Sequence, residues 1–91
     1  MKSQNKIQPI SQMSIDRAKQ ITHKFIFERK KELGLTNYKL ALMAGINRQN
    51  LDTYEKDYKH NLTLEIYYRI CGALNLRPYL IASEDDTTPM N

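Results

Sequence analysis

The sequence predicts a mainly α-helical domain, a bundle of four short helices followed by a short C-terminal β-strand. Three observations predict it. Apolar residues recur at helical spacing in four successive stretches, and a Ser, Thr or Asn heads each stretch. A glycine or a polar loop closes each of the first three. The 91 residues suffice for one domain with one modest core.

Residues 1–13 carry Pro9, several Gln and Ser residues and no clear period, so a mobile arm is expected there. Ser14 then has the character of an N-cap, with Asp16 placed near the positive end of a helix dipole. Ala18, Ile21, Phe25, Ile26 and Leu33 supply the apolar face of the first helix, which Gly34 ends. Thr36 caps a second helix to about residue 44, with Leu40, Ala41 and Ala44 inward, and Gly45 and Ile46 form a tight turn. Asn47 caps a third helix to about residue 57, with Leu51 and Tyr54 inward. A polar loop follows over 58–62. Thr63 caps a fourth helix with Leu64, Tyr67, Ile70, Cys71 and Leu74 on one stripe and Tyr68 near it.

The run Tyr79, Leu80, Ile81 is apolar and partly β-branched, which favours a short strand within 77–83. A fifth helix opened by Pro78 is the alternative, and Arg77 would cap it poorly. Residues 14–83 therefore make the domain, and 84–91 an acidic tail.

Charge is unevenly placed. The net charge is +4, but residues 1–60 hold 12 basic and 6 acidic side chains against 2 and 4 in the remainder. The positive excess can attract phosphate, although a solvated surface explains charge alone equally well. No apolar run reaches the roughly 18–20 residues that cross a bilayer, and the polar N-terminus is no secretory signal. A single cysteine, Cys71, fits a reducing cytoplasm. Catalysis has little to work with. No Gly-rich phosphate loop, HExxH or CxxC is present, and Glu84, Asp85 and Asp86 sit on the tail. His23 and His60 lack ligand-spaced neighbours, so neither a metal nor another cofactor is expected. Arg29, Lys30 and Lys31 read as the wet face of the first helix.

The informative stretch is 36–55, TNYKLALMAGINRQNLDTYE. Two short helices joined by a glycine turn pack at a steep angle, and Ala41 is small enough to let the next helix approach. On the third helix Arg48, Gln49, Asn50, Asp52 and Thr53 point outward. Arg can bond two acceptors on guanine, Gln and Asn can pair with adenine, and Thr53 can meet a thymine methyl. Arg48, Gln49, Asn50 and Thr53 are therefore candidate base readers. Asp52 would be repelled by phosphate and is expected to face cytosine, a basic side chain or solvent. Asn37, Lys39, Lys56 and Lys59 are candidate contacts to the DNA backbone, with His60 nearby, and Tyr38 can rest on that backbone.

This segment resembles the Cro/CI-repressor type of helix-turn-helix, the XRE family with its lambda-repressor-like bundle. The family pattern is approximately L-T/S-Q-x-x-L-A-x-x-A-G-[VI]-S, then an apolar position and an aromatic or aliphatic residue before Glu. Leu35, Thr36, Leu40, Ala41, Ala44, Gly45, Ile46, Leu51, Tyr54 and Glu55 match it. Thr63, Leu64, Ile70, Ala73, Leu74 and Leu76 resemble the family's fourth helix. Two residues depart: Asn37 stands where the family usually has a phosphate- or base-bonding Gln, and Arg29 where it often has an aliphatic core residue. The resemblance implies sequence-specific binding of double-stranded DNA by a homodimer on a palindromic operator. It further implies a transcriptional regulator, a repressor more than an activator, of bacterial or phage origin. One reading helix covers about 4 or 5 base pairs, which also argues for two copies. The C-terminal segment is similar to antitoxins of the HipB kind, where a strand pairs with its symmetry mate and a toxin protein can dock. That likeness implies dimerisation through Pro78, Tyr79, Leu80 and Ile81.

Overall fold

The computed structural model describes residues 11–80, which form α1 (Gln12–Glu32), α2 (Asn37–Ala44), α3 (Arg48–Lys56) and α4 (Leu64–Ala73). The helical bundle expected from the sequence is what forms. Each helix starts where a short polar side chain satisfies otherwise free backbone N–H groups. Thr36 accepts from the Lys39 N–H, Asn47 from that of Gln49, and Thr63 from that of Ile66.

The start of α1 differs from the expectation. Ser11, not Ser14, is its N-cap, accepting the Ser14 N–H at 3.1 Å, so the helix begins inside the segment expected to be an arm. The remaining residues of that expected arm, 1–10, lie outside the described residues, as does the tail at 84–91.

The helices stop for local reasons too. Gly34 and Gly45 adopt φ of +67° and +69°, the left-handed region that a Cβ disfavours. At Gly45 a Cβ would also come within 3.3 Å of the Arg69 guanidinium, which donates to the Ala44 carbonyl left free at the end of α2. Asn75, at φ 57°, closes α4 in the same way.

α2 packs against both α3 and α4. Ala41 and Ala44 are buried on its inner side and keep that approach close. Ile26, Leu40, Leu51, Ile70 and Leu74 are almost wholly excluded from solvent. At about 1.5–3 kcal/mol for each fully buried aliphatic side chain, these five dominate the stability of so small a domain. Tyr54 and Cys71 are buried beside them, and Cys71 is a free thiol.

The first helix presents a different face to the core from the one its hydrophobicity suggests. Of the expected stripe only Ile26 is buried, while Ile21 and Phe25 are about 60% exposed. Ile15, Lys19, Thr22, His23, Phe27 and Lys30, also at helical spacing, are among the residues half-buried instead. Its polar members are tolerated because they find partners on other elements. Lys19 donates to Asn61, His23 to the carbonyls of Tyr54 and Glu55, and Lys30 to Asn37. Lys30, expected on the wet face, is therefore largely enclosed. Arg29 lies over the end of α4, its Nε donating to the Leu74 carbonyl at 3.0 Å. Tyr68, expected near the core, is half exposed.

Among the described residues there is no strand. Residues 77–80 are exposed and take up neither strand nor helix, so the strand expected over 77–83 is absent from its described part. A strand needs a neighbouring backbone to satisfy its N–H and C=O groups. Ile81 lies outside the described residues.

Candidate nucleic-acid interface

The outward face of α3 follows from its inward one. Leu51 and Tyr54 are buried, so at 100° per residue the opposite side carries Gln49, Asp52, Thr53 and Lys56. Gln49, Thr53 and Lys56 are exposed, and their side chains make no hydrogen bond among the described residues. Arg48 and Asn50 occupy the two flanks.

The flank of α3 toward α2 carries a polar network. Arg48 pairs with Asp52 at 3.5 Å, one turn along the helix. The Asn37 amide, at the start of α2, donates to Asp52 at 2.9 Å and to Glu55 at 2.7 Å. Lys30 completes the set from α1, donating to the Asn37 carbonyl oxygen and standing 3.7 Å from Glu55. Asn37 is thus half-buried and directed at two carboxylates of α3, while Lys39, on the same helix, is exposed. Asp52 meets a basic side chain, one of the settings expected for it. Its carboxylate also holds Arg48 in place at the first position of α3.

The other flank faces the loop before α4. Asn50 is half-buried, its carbonyl oxygen 2.8 Å from the His60 Nε2. Lys59 is exposed and lies over the Tyr58 ring, 5.8 Å from its centroid. The loop is tied to the end of α3 by the Asp57 carboxylate, which accepts the Lys59 N–H at 2.9 Å. Tyr38, on α2, is 59% exposed.

Behind the exposed face, the last turn of α3 is anchored to α1. The His23 Nε2 lies 3.0 Å from both the Tyr54 and the Glu55 carbonyl oxygens at the C-terminus of α3, the first of which also accepts the Asp57 N–H at 3.2 Å. Its ring also meets the Tyr54 ring edge-on, with centroids 5.0 Å apart. Desolvation pushes the Tyr54 phenol from 10.0 up to about 12, with smaller contributions from Tyr67 and Cys71. Burial raises the Tyr67 phenol and the Cys71 thiol as well. All three therefore stay neutral, as a core group should.

Two short helices crossing at a glycine turn, the second with an exposed polar face, match a known family over residues 26–81. The chain belongs to the helix-turn-helix family. The match takes in the last third of α1, all of α2, α3 and α4, and the residues that follow them. It is the XRE type of helix-turn-helix, a kind of DNA-binding transcription regulator and not typically an enzyme. No curated protein and no solved structure matches the chain significantly. No helix among the described residues is long and apolar enough to cross a membrane.

In this helix-turn-helix protein the candidate base readers Arg48, Gln49, Asn50 and Thr53 all lie on one helix, with Lys56 one turn beyond Thr53. Sequence reasoning missed the residues that hold that helix, His23, Lys30 and the His60 bond to Asn50, and Arg69, which holds the end of α2. A signal for the first two was present. Lys19, His23, Ile26 and Lys30 mark a second helical stripe on α1, overlooked because three of its members are polar.

Proposed function

We propose that this protein binds double-stranded DNA in a sequence-specific manner as a homodimer and acts as a transcriptional repressor. The observation that carries the reading is the exposed face of α3, where Gln49, Thr53 and Lys56 are unbonded beside the oriented Arg48. Groups with free donors and acceptors on a helix surface are what a major groove can engage. Gln49, Thr53, Arg48 and Asn50 read bases; Lys39, Lys56 and Lys59 hold phosphates. Asn37 reaches a phosphate only by releasing Asp52 or Glu55.

Dimerisation is supported by apolar surface that the single chain leaves open. Ile21 and Phe25 of α1 line one groove with Leu76 and Pro78, and Tyr79 and Leu80, which follow in the chain, are exposed. Two copies related by a two-fold axis present two α3 helices to major grooves about 34 Å apart. A second reading rests on the same exposed surface, with the dimer segment also receiving a toxin protein and DNA binding serving autoregulation. Copurification of a second protein with the chain favours that reading; its absence favours repression alone.

The deciding experiment is selection of bound duplexes from random DNA. A palindrome with half-sites one helical turn apart is expected. Arg48→Ala should weaken binding by about 1–3 kcal/mol and relax preference at one base pair. Binding no stronger to any duplex than to a neutral polymer at low salt overturns the reading.

A further inference from the structure

We propose that His60 is a specificity-determining residue that fixes the side-chain amide of Asn50 as a hydrogen-bond donor toward the groove. The inference rests on the DNA-binding reading above. It starts from one contact, the His60 Nε2 at 2.8 Å from the Asn50 Oδ1. An amide oxygen has no hydrogen, so the imidazole nitrogen carries the proton and donates.

An asparagine without a partner can turn its amide by half a revolution and present either edge. The two edges are chemically opposite: the oxygen accepts and the –NH2 donates. With its oxygen held by His60, Asn50 has the –NH2 as its free edge. The holder is itself fixed. The His60 backbone N–H donates to the Asp57 carbonyl at 2.9 Å, and Asp57 also accepts the neighbouring Lys59 N–H. His60 is half-buried against this turn, which follows directly from the end of α3.

A donor in the major groove matches guanine O6 and N7, adenine N7 and thymine O4, whereas cytosine presents its own N4–H2 donor. His60 therefore directs Asn50 to discriminate against cytosine at the position it meets. His60 touches no base in this scheme; it acts through Asn50 as a positioning residue.

The test measures binding of the full chain to four duplexes that differ only at the base pair sensitive to Asn50→Ala. The wild type should disfavour cytosine by about tenfold. His60→Leu should lose most of that discrimination, and His60→Gln, whose amide N–H can still donate, should retain part of it. In the Asn50→Ala background, His60→Leu should change nothing further at that base pair. Nitrogen NMR of the DNA-free protein provides a readout independent of binding. The ring hydrogen of His60 should reside on Nε2, and the Asn50 side-chain amide signals should move in His60→Gln. Selective binding with unchanged base preference in both His60 variants overturns the assignment alone, as does an unprotonated Nε2. A chain that binds no duplex overturns the DNA-binding reading, and the assignment falls with it.

Discussion

Asn37 offers the sharpest test of how α3 is held. Its amide donates to Asp52 at 2.9 Å and to Glu55 at 2.7 Å, and its oxygen accepts from Lys30. Asn37→Ala removes all of these bonds and leaves two carboxylates of α3 without their shared donor. A hydrogen bond to a charged group contributes about 1.5–3 kcal/mol when well buried. Here the Asp52 and Glu55 side chains are 42% and 44% exposed, so water replaces much of each broken bond. The expected net loss is about 1–2 kcal/mol, which in a domain of this size lowers Tm by roughly 5–15 °C. Urea unfolding followed by circular dichroism measures it, with the midpoint falling and the slope m unchanged. The salt dependence of DNA binding supplies the contrast, because each phosphate no longer neutralised lowers the slope of log affinity by about 1. Full stability together with a reduced salt slope would refute the reasoning. Asn37 would then serve a phosphate and not the carboxylates of α3.

Leu51 is fully buried at the centre of the core, so Leu51→Ala should destabilise the domain by about 2–5 kcal/mol, measured by the same unfolding transition. A loss under about 1 kcal/mol would mean that the core repacks around the gap. His23→Ala removes a donor to two carbonyls in the last turn of α3 and a ring packed on Tyr54. It should cost about 1–2 kcal/mol and speed amide exchange in the last turn of α3 before the other helices. Uniform exchange across all four helices would argue against that anchor. Tyr54 predicts a loss of stability in alkali. Its folded-state pKa of about 12 lies above the unfolded 10.0, so its contribution is complete below pH 10 and declines as pH rises toward 12. The difference corresponds to roughly 2–3 kcal/mol. Tyr54→Phe should flatten the fall in urea midpoint between about pH 10 and pH 12, and equal falls in the two proteins would exclude Tyr54 as its source.

Local chemistry wrote most of the fold into the sequence. Thr36, Asn47 and Thr63 are caps that act within three residues, and Gly34 and Gly45 end helices through their own φ. Such interactions depend on neighbours along the chain, so they can be read before any packing is known. The exposed polar face of α3 was legible for the same reason, since burying Leu51 and Tyr54 turns Gln49 and Thr53 outward. Tertiary structure decided which face of α1 goes inward and which polar groups are free. Hydrophobicity favoured the Ile21 and Phe25 side, yet the side with His23 and Lys30 is the one enclosed, because carbonyls and carboxylates on α2 and α3 receive their donors. It also decided that Asn37 and Asn50, polar residues of similar promise in the sequence, are tied to Asp52, Glu55 and His60. A one-dimensional pattern records what each side chain can bond; only the assembled chain fixes which partner lies within reach.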